Sequence, residues 1–268
     1  NENSDRAFEE EVMLSGFGNA QVKGEGAGVS FDDAQETYTA RYTHETVALA
    51  FAITEEAIED NLYDRLSARY TKALARSMSN AKQVKAIEPL INGLPSTATF
   101  KSGDGVALFS TSHTTVSGPN VANTLATQAD LNETSLEQSM IDIAKMTDER
   151  GLRIAARGLK MIIPSELQFT AERLMKSQGR TGTADNDINA IVSMGMVPQG
   201  YRVNNYLTDS DAFYILTDIP NGMKMFTRAP LTTAMEGDFD TGNVRYKARE
   251  RYSFGVSDFR GIFGVEGA

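Results

Sequence analysis

Residues Gln35 to Ile53, QETYTARYTHETVALAFAI, alternate side chains with a period of two over a length that an ordinary domain does not accommodate as one strand. At about 3.3 Å per residue the stretch extends roughly 60 Å, against about 17 to 20 Å for a typical strand. Tyr38, Ala40, Tyr42 and His44 fall on one side of its first half, and Thr37, Thr39, Arg41, Thr43 and Glu45 on the other. An apolar face becomes consistent only at Val47, Leu49, Phe51 and Ile53. The pattern predicts a protruding β arm, rooted near Val47–Ile53, whose partners lie outside its own core.

The 268 residues suffice for one large domain or two ordinary ones. A hydrophobic content of 41% with 23% charged residues is that of a globular protein, neither disordered nor fibrous. No apolar run approaches the ~20 residues that span a bilayer, and NENSDRAFEEE lacks the basic and apolar segments of a signal peptide. The reading is a soluble protein with no membrane partner and no visible export signal. The absence of cysteine removes disulfides, thiolate metal sites and a thiol nucleophile, and fits synthesis in a cytoplasm. The chain opens on Asn1, which fits a preceding segment that was cleaved, disordered or left out. A net charge of −10 argues against a surface that grips nucleic acid, because neutralising phosphates takes clustered lysine and arginine.

Along the chain, residues 1–34 read as irregular and rich in glycine and acid, able to supply a strand that pairs with the Gln35–Ile53 return. Thr54 is an N-cap followed by Glu55 and Glu56. Apolar side chains at Ile58, Leu62, Leu66, Tyr70, Leu74, Met78, Ala81 and Val84 predict a helix of roughly 50 Å that Pro89 and Gly93 stop. Loops and one short strand at Val106–Phe109 follow. Thr134 and Glu137 read as a capping box for a helix, and Ser165 and Gln168 as a second one after a buried strand, Gly158–Ile163. A helix (Ile188–Ser193) and strands (Tyr201–Tyr206, Ala212–Thr217) complete an α/β domain. The C-terminal part predicts strands at Lys224–Arg228, Leu231–Met235 and Asn243–Val256, expected against the long helix.

Sites of chemistry are mostly missing. Lys23–Gly28, KGEGAG, lacks the following helix and the lysine-hydroxyl pair of a phosphate loop. Asp185, Asp187 and Asn189 mimic the start of a calcium loop, yet Ala190 and Met196 occupy the glycine and acidic positions, leaving a helix-capping turn. His113 sits among hydroxyls without a nucleophile elbow, and His44 reads as a solvated or interfacial side chain of the arm. No catalytic residue, cofactor site or metal set is indicated, although 36 acids leave a carboxylate dyad open. Arg245, Lys247, Arg249 and Arg251 alternate at period two, with Tyr246, Ala248, Glu250 and Tyr252 opposite. They form either a solvated strand face or a basic ladder that meets the acidic surface of a neighbouring subunit.

Several segments carry a resemblance: DDAQETYTARYTHETVALAFAITEEAIEDNLYD (32–64), SARYTKALARSM (67–78), GDGVALFSTSHTTVSG (103–118), ADLNETSLEQSMIDI (129–143), GTADNDINAIVSMGMVPQGYRVNNYLTD (182–209) and GDFDTGNVRYKARERYSFGVSDFRGIFG (237–264). Together with the order of parts, they resemble the major capsid proteins of tailed bacteriophages, relatives of the Mu-like major head subunits with the Hong Kong 97 type of fold. The resemblance covers nearly the whole chain from Phe8 and implies an α+β fold. Its parts are an N-terminal arm (1–21), an extended β-hairpin (22–53), a spine helix with the first part of a peripheral domain (54–130), an axial α/β domain (131–222) and C-terminal strands returning to the peripheral domain (223–268). Phe259 departs from the family pattern, which implies proline there. Implied too are pentamers and hexamers enclosing double-stranded DNA without sequence-specific binding, with scaffold, portal and decoration proteins as further partners. Location in the virion capsid and assembly in a bacterial host cytoplasm follow from the same resemblance. Candidate contacts between subunits are Lys23, Tyr38, Arg41, Tyr42, His44, Glu45, Arg245, Lys247, Arg249 and Arg251, with Lys23 also a candidate for cross-linking. The alternatives are an encapsulin-like compartment shell, a carboxylate-dependent hydrolase, and an adhesin or tail protein that uses the arm for pairing.

Overall fold

A computed structural model describes residues 1–60, 63–179 and 187–268, with the backbone alone at residues 63–66. The elements begin with β1 (Glu2–Asn3), β2 (Phe8–Leu14), β3 (Glu36–Thr43), β4 (Glu45–Ile53), α1 (Glu55–Glu59) and α2 (Tyr63–Ile91). They continue with α3 (Glu133–Ala144), β5 (Gly158–Ile163), α4 (Gln168–Lys176), α5 (Ala190–Ser193) and β6 (Tyr201–Val203). β7 (Phe213–Thr217), β8 (Met223–Gly237), β9 (Val244–Val256) and β10 (Ile262–Val265) close the chain. Two compact units result, one of residues 1–9, 41–88 and 224–255, the other of residues 10–40, 89–223 and 256–268.

Unit one is a sheet of order β1-β8-β9-β4 laid on α2. Thr54 caps α1, its hydroxyl accepting from the Ala57 N–H at 3.4 Å, with Glu55 and Glu56 at the positive end of the first turn. α2 has 29 residues, about 44 Å at 1.5 Å each. It runs two residues beyond Pro89, and Tyr70 and Val84 of the predicted apolar stripe stay 46% and 43% exposed. Leu62 and the Leu66 side chain lie outside the described residues. β4 and β9 pair antiparallel from Glu45↔Tyr252 to Ile53↔Val244. One face of this pair buries Ala248 against Leu74 and Met78, with Val47 and Phe51 beside them. Phe51 stacks on Tyr246 at 5.0 Å and meets Tyr70 edge-on at 5.6 Å. Each such apolar side chain, fully buried, contributes about 1.5 to 3 kcal/mol. The ion pair Lys82–Glu250 joins helix and sheet at the border of this cluster.

Unit two is built on a sheet of order β10-β7-β5-β6, with β5 and β6 parallel and the other pairs antiparallel. Its core holds Met161, Ile163, Phe213, Ile215, Phe263 and Val265, and α3 contributes Leu136 and Ile143. Leu108 and Phe109 are fully buried here, with Phe109 at 5.5 Å from Tyr214. Gly264 has no room for a side chain, since a Cβ there would stand 2.6 Å from the Phe109 ring. Among the described residues no helix is long and apolar enough to cross a membrane.

Several expectations are corrected. The stretch Gln35–Ile53 is two strands, not one, and it is anchored in both halves: Ala40, Tyr42 and His44 are buried in the first, and in the second Ile53 is buried while Val47 and Phe51 pack on the Leu74, Met78 and Ala248 cluster, with Leu49 exposed. β3 pairs with β2, so the segment connecting the hairpin strands is residues 15–35 and not a strand from 22 onward. Residues 89–130 and 256–268 belong to unit two, where Leu108, Phe109 and β10 enter the core, and not to the unit of the long helix. Val106–Phe109 forms no strand, only a bridge between Lys101 and Ala107. The α3 capping box is Asn132 with Ser135, two residues before the predicted pair. α4 has Leu167 at its N-cap and no side-chain cap. β8 is one strand through Pro230 where two were expected, and β6 stops at Val203.

Candidate assembly surfaces

The outward face of unit one carries the basic ladder. The antiparallel register sets Arg245 beside Ala52, Lys247 beside Ala50, Arg249 beside Ala48 and Arg251 beside Thr46. Arg245, Lys247 and Arg249 are exposed and Arg251 half-buried, next to a low row of alanines. Alternate residues stand about 6.7 Å apart on a strand, so the row extends roughly 20 Å. Neighbouring cations at that spacing repel by about 0.6 kcal/mol in a water-like dielectric, a cost that an acidic partner removes. Arg245 pairs with Asp238 at the near end.

Charge is divided unevenly between the units. Unit one has 14 Lys+Arg and 14 Asp+Glu; unit two has 12 and 22, and therefore the whole net charge of −10. Residues 10–40 alone hold six acids and one lysine. Within them, residues 19–31 are exposed throughout, with Val22 and Phe31 as open to solvent as in an extended chain and Phe17 at 62%. The ends of this segment are held together by the Gly18 N–H, which donates to the Asp32 carboxylate at 2.6 Å. That bond, with Arg150 nearby, keeps the Asp32 carboxyl below its ordinary range. Arg150 also donates to the Asp33 carbonyl at 2.6 Å.

The other predicted contact residues separate into exposed and buried sets. Lys23 is exposed on the 15–35 segment, Arg41 is exposed with its guanidinium 3.9 Å over Phe8, and exposed Glu45 pairs with Lys85. Tyr42 is buried edge-on to Phe226 at 4.8 Å, beneath Gly255, and so is no surface contact. His44 is buried between Ser4 and Ser253, which corrects its reading as a solvated side chain. Tyr38 is half-buried in unit two, 6.5 Å from Phe259 and over Gly103; burial first, then the charge of Asp258, pushes its hydroxyl pKa up.

Two buried polar clusters in unit two escaped sequence reasoning. Arg260 donates to Glu149 at 2.6 Å, to Asp258 at 3.3 Å and to the Thr147 carbonyl at 2.9 Å, over the Phe259 ring at 4.4 Å. His113 stands 2.6 Å from Asp104 and stacks at 3.8 Å on Phe259, so phenylalanine at that position fills the core. Burial alone would raise the Asp104 carboxyl, but the hydrogen bond and charge of His113 hold it below the ordinary value. Glu149 and Thr147 lie 111 and 113 residues from Arg260, and Asp104 lies 9 from His113, separations to which no spacing rule applies. Asn189 caps α5: its side chain accepts from the Ile191 N–H at 3.1 Å and donates to the Leu174 carbonyl at 2.8 Å. Asp185 lies outside the described residues.

The carboxylates of the groove of about 360 Å³ lined by Met13, Asp148, Glu149, Asp218, Asp258 and Arg260 are engaged structurally. Asp148 accepts the Arg150 and Leu152 N–H groups, Asp218 that of Arg157, and Glu149 and Asp258 the Arg260 guanidinium. Asp211, raised by a hydrogen bond with Asp209 and by burial, stands outside that lining.

Residues 36–265 match the family described as phage capsid protein. The chain belongs to the phage capsid protein family. No curated protein matches the sequence. Among solved structures, the capsid of Myoviridae phage XM1 is similar at 12% identity and TM-score 0.58, covering 100% of this chain and 89% of that one. The capsid of an empty GTA particle is similar at 14% and 0.60, covering 99% and 86%. A virus-like particle from Pyrococcus furiosus is similar at 10% and 0.53, covering 98% and 88%. At such identities the likeness is one of fold, the Hong Kong 97 type of capsid fold. This capsid protein is thus a structural subunit of a phage capsid.

Proposed function

We propose that this capsid protein assembles into pentamers and hexamers that close into an icosahedral shell around double-stranded DNA, with no enzymatic role. The observation that carries the proposal is the 15–35 segment, which exposes Phe17, Val22, Val29 and Phe31 to solvent. Covering each of these side chains in a neighbouring copy contributes about 1.5 to 3 kcal/mol, less the cost of ordering the segment. Repeated around a shell, such contacts hold many copies with modest strength each. The basic ladder of unit one suits the acidic 10–40 segment of another copy, with Lys23, Arg41 and Glu45 as further surface contacts and Tyr38 near the root of that segment. An acidic chain leaves packaged DNA free to slide. Scaffold, portal and decoration proteins are the other expected partners, and a bacterial host cytoplasm the place of assembly. Against the hydrolase reading, the acids in the groove beside Arg260 are occupied by backbone N–H groups and a guanidinium.

Deleting residues 19–31 tests the role of the segment. A deletion of Gln35–Thr46 would instead remove buried Ala40, Tyr42 and His44 and so disturb the fold. The 19–31 deletion is expected to leave a folded chain with unchanged thermal stability and no closed particles by sizing and light scattering. Particles of normal size and yield from the deleted chain would refute the proposal.

A further inference from the structure

Residues 67–87 of α2 include five cations, Arg69, Lys72, Arg76, Lys82 and Lys85, and no acid. Two of the five serve the fold, Lys82 by pairing with Glu250 of β9 and Lys85 with Glu45 of β4. The other three are exposed, and among the described residues none of them is ion-paired. At about 100° per residue, Lys72 and Arg76 stand roughly 160° around the helix from Leu74, and Arg69 roughly 140°. Leu74 and Met78 face the sheet. Arg69, Lys72 and Arg76 therefore form a stripe on the side of α2 turned away from it.

The company of these cations selects the kind of partner. Ala73, Ser79, Asn80 and Gln83, on the same side of the helix, are exposed and either small or neutral hydrogen-bonding groups. The exposed apolar residues of α2, Tyr70 and Val84, lie within about 80° of Leu74 and so off the stripe. A protein partner is met by apolar and aromatic anchors, with lysine depleted, and the stripe has no such anchor. A nucleic-acid backbone is met by arginine, lysine and neutral donors such as serine, asparagine and glutamine. Arg69 and Arg76 are about 10 Å apart along the axis, a length over which a duplex carries about six charges.

We propose that this face of α2 touches the phosphate backbone of double-stranded DNA, without reading its sequence. The net charge of −10 belongs to unit two, whereas unit one has as many bases as acids, so the stripe is not set in an acidic surface. Three phosphate contacts hold weakly in one copy and add up over many, which keeps the DNA held loosely. This contact deepens the shell proposal and rests on it for the presence of DNA. The binding itself belongs to the helix and is measurable on subunits that have not assembled.

The test is fluorescence anisotropy of a labelled duplex of mixed sequence with the full chain, diluted to dispersed subunits and checked by sizing at each salt concentration. Wild type is compared with the triple variant Arg69→Gln, Lys72→Gln, Arg76→Gln, since glutamine keeps the helix propensity of the residues it replaces. The plot of log affinity against log salt is expected to be flatter by about 2.7 in the variant, at about 0.9 per lost contact. From about 50 to 200 mM salt the wild type then loses roughly fortyfold more affinity than the variant. Arg69→Lys with Arg76→Lys should keep the wild-type slope, and so should Lys247→Gln with Arg249→Gln on the ladder. Equal slopes for wild type and triple variant, or a slope lost through the ladder pair, overturn the proposal. So does a triple variant that binds DNA normally but no longer forms shells, which would assign the stripe to an acidic protein surface. Wild-type chain that forms shells without binding DNA overturns this contact and leaves the shell proposal standing; the expected slopes from a chain that never forms shells support the contact and count against the shell.

Discussion

Replacing Arg260 by methionine is expected to destabilise unit two by about 3 to 5 kcal/mol, the range for removing one partner of a buried ion pair. The guanidinium and Glu149 are each 2% exposed, and Asp258 is 5% exposed. Burial alone would lower the Arg260 pKa, but Asp258 and Glu149 hold it above its ordinary value. Without it two carboxylates are left in the interior, and the Thr147 carbonyl loses its donor. The loss is a large share of a typical folding stability of about 5 to 15 kcal/mol. Chemical denaturation of the variant measures it. Adding Glu149→Leu to Arg260→Met should recover part of the loss, because an apolar pair is less costly than a stranded carboxylate. A single variant within 1 kcal/mol of wild type, on the scale of ordinary surface changes, would show that the network is peripheral to stability.

Reversing the ladder with Arg245→Glu, Lys247→Glu and Arg249→Glu is expected to leave the chain folded and abolish closed particles. The three side chains are exposed, and Arg245 pairs with Asp238. The folded state should change by a few tenths of a kcal/mol per site, as exposed pairs do. Against an acidic neighbour, however, each reversal turns attraction into like-charge contact, which costs several kcal/mol across an interface. Wild-type assembly should also weaken as salt rises, since the screening length shrinks from about 10 Å at 0.1 M to about 3 Å at 1 M. Sizing of the variant and of the wild type across a salt series checks both. Normal shell yield from the reversed ladder would mean that the face is merely solvated.

The capsid family was legible because its segments are spread over the whole chain, and the ladder because period two puts four cations on one strand face. That the first half of Gln35–Ile53 is anchored as well as the second was not legible. Apolar content pointed to Val47–Ile53, but burial of Tyr42 depends on Phe226 and Gly255, and burial of His44 on Ser4 and Ser253. The α3 cap was misplaced by two residues because Asn132/Ser135 and Thr134/Glu137 satisfy the same spacing. The allocation of residues 89–130 and 256–268 to unit two rests on where Leu108, Phe109 and Phe263 find room, a three-dimensional fact. Among the contact candidates, alternation identified the exposed side of β9 but did not separate exposed Arg41 from its buried neighbour Tyr42.

Electron microscopy of the largest species formed by the full chain tests the central claim most directly. Closed shells, or rings of five and six copies, are the predicted result. A strict monomer or dimer at every protein concentration would contradict it.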